Sequence, residues 1–288
     1  MNGIEIQGLS KRFGEVQALN NVDLHLEPHK IYGLLGRNGA GKTTLLNIIA
    51  NRLFPDVGSV RLDGAIATEN DAVQGQIYMM SELTLYPEGM HVKQAIRWTE
   101  AFYPSFDREF ALALAEEFGL NLKKKVGKLS TGYRSIFKAI LALSVGTPVV
   151  LFDEPVLGLD ANHRDLFYRR LLERYSEKPC TIIISTHLIE EVANIVEDVV
   201  IIHAGNIICH ETKDALMRRG YAVSGQTALV EAYTQGKMVI GREQMGGLCC
   251  AYLLGEVTEP LPAGLERSAL DLQKLFVQLT NTQGGTQL

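Results

Sequence analysis

The chain has 288 residues, of which 46% are hydrophobic and 21% are charged, a composition typical of ordinary soluble globular proteins. This length allows one large domain with a smaller unit attached to it. The net charge of −5 at pH 7 offers no excess of cations for counterion release, which argues against nucleic acid as the main partner.

The cysteines and the N-terminus indicate where the protein works. The four cysteines show no paired C-x-x-C spacing, so we expect no zinc site, and they fit a reducing cytoplasm. The first residues alternate like a strand and do not resemble a signal peptide. No apolar run is long enough to cross a bilayer, so another chain would have to hold this one at a membrane.

Residues 1–30 are predicted to form short strands. Ile4 and Ile6 alternate with polar residues, and the alternation returns at Val22, Leu24 and Leu26. This pattern is typical of an antiparallel sheet with one face in water.

Residues 36–44 read Gly-Arg-Asn-Gly-Ala-Gly-Lys-Thr-Thr, which matches the phosphate-binding pattern Gly-x-x-x-x-Gly-Lys-Thr. The mostly apolar residues 30–35 before the loop predict a buried strand, and residues 42–53 after it carry apolar side chains at helical spacing. A loop that joins a strand to a helix is the context that this motif requires.

Each residue type in the loop suits phosphate binding. The glycines let successive N–H groups turn toward an anion, and the helix N-terminus adds partial positive charge. Lys42 supplies a full charge for the β- and γ-phosphates, Thr43 offers a hydroxyl to Mg²⁺, and Thr44 can reach the α-phosphate. The nucleotide-binding residues predicted here are Gly36, Asn38, Gly39, Ala40, Gly41, Lys42, Thr43 and Thr44.

Two residues outside the loop leave alternatives open. Phe13, in a predicted loop ahead of the phosphate loop, could stack on adenine or fill an apolar turn, and the residue alone does not decide between them. Glu82 follows the predicted strand 77–80, where it could contact Mg²⁺ or water near the γ-phosphate or be an exposed loop residue.

Residues 84–145 interrupt the alternation of strands and helices, so we predict an inserted helical subdomain. Asp107 suits a helix start, and Phe110, Leu114 and Phe118 recur at helical spacing. The last helix of this block begins after residues 129–134, Leu-Ser-Thr-Gly-Tyr-Arg.

Two predicted strands deliver polar groups to one sheet edge. The apolar run 149–152 ends in Asp153 and Glu154, where Asp153 can hold Mg²⁺ through water and Glu154 can act as general base on the attacking water. The alternative is an acidic pair that caps the next helix. The second apolar run is residues 181–184. His187 follows it after Ser185 and Thr186 and could position the water beside the γ-phosphate.

The sequence pattern predicts structure less clearly toward the C-terminus. A hairpin is predicted around residues 204–206. From about residue 221, glycines separate short apolar segments, which indicates a small mixed α/β appendage. Residues 268–279 predict a final helix, and residues 280–288 a loose tail.

Taken together, these pieces resemble the ATP-binding subunit of an ATP-binding-cassette (ABC) transporter, most like bacterial exporters with separate membrane subunits. The resemblance covers residues 1 to about 220. Its motifs are Walker A at 36–44, a signature-like stretch at 129–133, Walker B at 149–153 with Glu154, a D-loop at 158–160 and a switch histidine at His187.

The resemblance implies a P-loop NTPase fold. Its parts would be an antiparallel β subdomain, a RecA-like parallel-sheet core and the helical signature subdomain, together forming an ATP-binding domain at 1–220, with the α/β appendage at 221–288. It also assigns Phe13 to adenine stacking and Glu82 to the position of the Q-loop glutamine. Ser130 and Gly132 would contact the γ-phosphate of ATP held by a second subunit.

Three departures from the family pattern stand out: Thr131 and Tyr133 within the signature, Glu82 at the Q-loop position, and Leu157 before the D-loop glycine. None removes a charged group that the chemistry needs, so an active ATPase is expected.

The predicted function is therefore a cytoplasmic, peripheral ATPase subunit that uses ATP and Mg²⁺. It would dimerise on binding ATP and drive export through an integral membrane subunit. A soluble ATPase acting on DNA or the ribosome and an importer subunit are the alternatives.

Overall fold

The computed structural model describes residues 2–257 and 259–281, and within them three β-sheets are flanked by helices. The strands are β1 (Ile4–Phe13), β2 (Val16–Leu26), β3 (Ile31–Leu35), β4 (Val57–Leu62), β5 (Ala65–Ile66), β6 (Ile77–Met80), β7 (Val149–Asp153), β8 (Thr181–Thr186), β9 (Asp198–His203), β10 (Asn206–Thr212), β11 (Gly220–Gln226), β12 (Met238–Met245), β13 (Leu248–Leu254) and β14 (Leu265–Ala269). The helices are α1 (Lys42–Ile49), α2 (Asp71–Gln74), α3 (Val92–Phe102), α4 (Arg108–Glu117), α5 (Thr131–Ser144), α6 (Ala161–Glu177), α7 (Ile189–Val192), α8 (Lys213–Arg219), α9 (Thr227–Thr234) and α10 (Leu272–Asn281), with a 3-10 turn at Val126–Lys128.

The central sheet has the strand order β10-β9-β3-β8-β7-β6. Its strands run parallel except β10, which pairs antiparallel with β9. Every residue of β3, β7 and β8 is buried, as expected for apolar runs covered on both faces. The carboxyl ends of β3, β7 and β8 therefore meet at one edge, where open α/β sheets bind ligands.

The N-terminal sheet is antiparallel, with the order β2-β1-β4-β5, as the alternating pattern predicted. Its inward side chains Ile4 and Leu9 belong to the same apolar cluster as Leu46 of α1 and Leu34 of β3. This cluster holds the phosphate-loop helix between the two sheets.

The predicted helical block contains α3, α4 and α5. Asp107 caps α4, because its Oδ1 accepts a hydrogen bond from Phe110 N at 3.1 Å, as the sequence predicted. Phe118 and Phe137 are fully buried in the large cluster that also contains Phe152 of β7. This shared core ties the helical block to the parallel sheet.

The C-terminal unit is a sheet of order β12-β13-β11-β14 with α9 and α10. The prediction that the last helix starts at residue 268 is wrong, because Ser268 pairs with Ala222 in the sheet and α10 begins at Leu272. Asp271 Oδ1 caps that start by accepting from Lys274 N at 2.6 Å. Residues 282–288 of the predicted tail lie outside the described residues, and the division at residue 220 stays a prediction.

None of the helices within residues 2–257 and 259–281 is long and apolar enough to span a bilayer.

Candidate functional site: a phosphate loop beside two acids and a histidine

The phosphate loop turns the chain from β3 into α1. Gly41 stands at the N-cap of α1 with φ 113°, and a Cβ there would lie 2.5 Å from the Ala18 carbonyl oxygen. Only glycine fits this position, because both the backbone angle and the close approach exclude a side chain. The turn is closed by Ala40 N, which donates to Arg37 O at 3.1 Å.

Lys42 is a buried cation within this loop. Its side chain is 6% exposed, and Nζ donates to Gly36 O at 2.6 Å and to Arg37 O at 3.3 Å. Burial lowers the pKa of Lys42, while the nearby charges of Glu154 and Asp153 act in the opposite direction. Because carbonyl oxygens do not neutralise a charge, this ammonium is suited to an incoming polyphosphate.

Asp153 stands at the end of β7 within reach of the loop. Its Oδ1 accepts from Thr43 Oγ1 at 3.2 Å and from Ser185 Oγ at 2.9 Å. No cluster of three or more metal-ligating His, Cys, Asp or Glu side chains occurs in the described part of the chain. This arrangement still fits Mg²⁺, which usually takes one or two protein oxygens and completes its shell with water and substrate phosphate.

Glu154 adopts an unusual backbone conformation. Its φ is 49°, in a region that non-glycine residues rarely occupy, and its N–H donates to Ser185 O at 2.9 Å. Its Oε2 accepts from Thr186 Oγ1 at 3.3 Å and lies 2.9 Å from His187 Nδ1. Strain of this kind is common at functional sites, and here it aims the carboxylate at the histidine.

The parallel register explains why these side chains meet. Asp153 of β7 is the partner of Ser185 in β8, and Leu35 at the end of β3 is the partner of Thr186. The phosphate loop, the acids and His187 therefore leave the sheet at the same edge. Ser185 and Thr186 were not predicted as site residues, although polar residues ending an apolar strand were the available signal.

Phe13 lies at the last position of β1, not in a loop, and its ring is 49% exposed. It pairs with Val16 at the end of the β1–β2 hairpin, and β2 reaches the phosphate loop through Ala18. An exposed ring in this neighbourhood could cover a base, and its stacking role stays a prediction.

Glu82 follows β6 with its side chain exposed. Its carbonyl oxygen accepts from Lys138 Nζ at 2.8 Å, so this contact with α5 fixes the main chain of Glu82. Its contact with metal or water stays a prediction.

Ser130 and Gly132 lie at the start of α5, against the turn that precedes α6. Ser130 Oγ caps α5 by accepting from Tyr133 N at 3.4 Å. A Cβ on Gly132 would lie 2.9 Å from Gly158 O, and Ser135 Oγ donates to Leu157 O at 2.9 Å. The signature-like stretch and the D-loop therefore form one packed surface.

The site has the features of a nucleoside triphosphatase of the P-loop class. A family model described as "ABC transporter" matches residues 19–157. The ABC transporter ATP-binding protein YtrB of Bacillus subtilis (strain 168) is 32% identical over 189 residues, which are 66% of this chain and 65% of YtrB. NatA, an ABC transporter ATP-binding protein from the same organism, is 31% identical over 74% of this chain and 91% of its own length.

A solved structure titled "Structure of ATP binding subunit of ABC transporter" matches with a TM-score of 0.65 and 25% identity over 74% of this chain and 91% of that one. The chain belongs to the ABC transporter family as one of its ATP-binding cassettes, which are ATPases. Other matching relatives are named as import proteins, so family membership does not set the direction of transport.

Proposed function

We propose that this chain is the ATP-hydrolysing subunit of an exporter and that it works in the cytoplasm through a separate membrane subunit. The observation that carries the proposal is the meeting of Lys42, Asp153, Glu154 and His187 at one sheet edge. A phosphate-binding cation, a metal-holding acid and a base with its own partner are the groups that ATP hydrolysis needs.

Each side chain has a distinct task in this mechanism. Lys42 would bind the β- and γ-phosphates, and Thr43 and Asp153 would hold Mg²⁺, which would offset the negative charge of the phosphates. Glu154 accepts a proton from the attacking water. His187 holds the Glu154 carboxylate in place through its Nδ1, which is the nitrogen that carries the proton in this hydrogen bond.

The site is proposed to be completed by a second ABC subunit. Ser130 and Gly132 lie at the exposed N-terminus of α5, where the helix dipole favours an anion. These residues would contact the γ-phosphate of ATP bound to the partner, so two chains close head to tail around ATP. Hydrolysis removes the shared phosphate and opens the pair.

The proposed membrane subunit would dock on exposed apolar residues of α3 and of the loop after β6. Four large apolar side chains are exposed on α3 and on the loop after β6: Leu83, Leu85, Trp98 and Phe102. The loop is held against α3 because Tyr86 Oη and Thr99 Oγ1 lie 2.7 Å apart. We call these four residues the α3 patch, and an amphipathic cytoplasmic helix of the membrane subunit would cover it.

Sedimentation with membranes of the native host tests this function. The variant Trp98→Glu/Phe102→Glu makes the α3 patch charged, and Phe54→Glu is a matched change of an exposed aromatic residue outside the patch. We expect the wild type and Phe54→Glu to sediment with membranes and the patch variant to stay in the supernatant with unchanged ATP affinity. Sedimentation of all three proteins with ribosomes would support the soluble alternative instead.

A further inference from the structure

Lys138 projects from α5 to the end of β6. Its Nζ donates to two successive carbonyl oxygens, Ser81 O at 2.7 Å and Glu82 O at 2.8 Å. The side chain is only partly exposed. The helix that Ser130 caps therefore fixes the main chain of Glu82, the residue predicted to face the metal.

A second cation, Arg52, binds the same segment through other atoms. Arg52, just after α1, donates through Nη1 to Ser81 Oγ at 3.0 Å and through Nη2 to Met79 O at 2.9 Å. The end of β6 and the residues after it therefore accept hydrogen bonds from two cations, Arg52 after α1 and Lys138 of α5. Arg52 also fixes Met79 and Ser81, so Glu82 is the residue that Lys138 contacts and Arg52 does not.

Lys138 carries a positive charge, although hydrogen bonds to two carbonyl groups do not require one. Among the described residues, no carboxylate lies within 4.0 Å of its Nζ. Burial lowers the pKa of Lys138, and the negative charges of Glu82 and Asp153 partly offset that effect. A neutral donor would bond the two carbonyl groups without the cost of burying a charge. The ammonium is therefore matched to the acids at the metal edge of the site.

We propose that Lys138 is a positioning residue for ATP hydrolysis, which sets the main chain of Glu82 so that its carboxylate faces the Mg²⁺ held by Thr43 and Asp153. This inference rests on the proposed function. Lys138 lies outside the family motifs. It connects Glu82 to α5, the helix that Ser130 caps.

A double-mutant cycle on the full chain tests the proposal, with Mg·ATP as the substrate. Lys138→Met removes the charge and the donors, Glu82→Ala removes the carboxylate, and Lys93→Met is a matched change of an exposed lysine on α3. We expect Lys138→Met to lower kcat by on the order of tenfold to a hundredfold, with KM for ATP changed by less than about threefold. The Mg²⁺ concentration for half-maximal rate should rise, and Lys93→Met should match the wild type.

The decisive comparison is the effect of Lys138→Met in the wild type and in the Glu82→Ala variant. Because Lys138 acts through Glu82, Lys138→Met should have little further effect on kcat when Glu82 is already alanine. An equal loss in both backgrounds, or no loss in either, overturns the proposal. If the methionine variant does not fold, Lys138→Gln replaces it in the same cycle.

Failure of the proposed function is distinguished by a readout that needs no hydrolysis. If the wild type does not hydrolyse ATP, the proposed function is wrong. The positioning role is then read from limited proteolysis of the loop after β6, which Lys138→Met must accelerate while Lys93→Met leaves it unchanged. An unchanged cleavage rate in Lys138→Met would refute the positioning role independently.

Discussion

Arg37 Nη2 donates a hydrogen bond to Asn281 Oδ1 at 2.8 Å, across 244 positions of sequence. Arg37 belongs to the phosphate loop, and its carbonyl oxygen accepts from Lys42 Nζ. Asn281 is the last residue of α10. The C-terminal unit, for which the sequence indicated no chemistry, therefore contacts the loop that binds phosphate.

This contact predicts that ATP stabilises α10. In the wild type, ATP should slow amide exchange in α10, because an ordered phosphate loop holds Arg37 in place. Asn281→Ala removes the acceptor and should reduce this protection, while exchange in β7 stays unchanged. Equal protection of α10 by ATP in both proteins would show that the contact carries no coupling.

The lowered pKa of Lys42 predicts weaker ATP binding at alkaline pH. Burial places this pKa below 10.5 in the free protein, and bound phosphate favours the charged form and raises the pKa. The complex therefore holds a proton that the free protein has lost, so Kd should rise with pH from the lowered pKa toward 10.5. Lys42→Arg cannot lose its proton in this range, and its Kd should stay flat. A slope in both proteins would assign the effect to another group.

The contacts of Asp153 predict a change in Mg²⁺ dependence. Asp153→Asn keeps the shape of the side chain but removes its charge, so the Mg²⁺ concentration for half-maximal ATP hydrolysis should rise by about tenfold or more. Ser185→Ala removes one hydrogen bond to Asp153 and leaves the charge, so a smaller shift is expected. Titration of the hydrolysis rate with Mg²⁺ measures both, and the reverse ranking would argue against Asp153 as the metal-holding acid.

The packing of the signature-like stretch on the D-loop predicts that Gly132→Ala is costly. The new methyl group would lie 2.9 Å from Gly158 O, so the two segments must move apart, at a cost of about 1–3 kcal/mol. We expect a lower melting temperature and slower ATP hydrolysis, with ATP affinity of the monomer retained. Gly89→Ala, where a Cβ meets no atom within 4 Å, serves as the control. Equal behaviour of the two variants would contradict the packing argument.

The parts of the site that follow from local sequence could be predicted. The phosphate loop is a contiguous motif between a strand and a helix, and Asp153, Glu154 and His187 each end or follow an apolar run whose parallel partner lies beside it. The sheet register brings these residues to one edge, as strand-edge reasoning predicted, while their roles in binding and catalysis stay predictions.

The remaining features depend on tertiary packing, which the sequence pattern does not contain. Arg52 follows α1 and Lys138 lies in α5, and no spacing rule joins either long side chain to Ser81. The start of α10 was misplaced because Ser268 suits either a helix cap or a strand, and pairing with β11 decides for the strand.

The central claim is that Glu154 is the base for ATP hydrolysis in a site closed by a second subunit. The most direct measurement is ATP turnover together with molar mass in solution for wild type, Glu154→Gln and Glu190→Gln, a control on exposed residue Glu190 of α7. We expect Glu154→Gln to lose at least about a hundredfold in turnover and to form a stable dimer with ATP, while the control behaves as wild type. Turnover by Glu154→Gln at the wild-type rate, with the protein monomeric in ATP, would contradict the account.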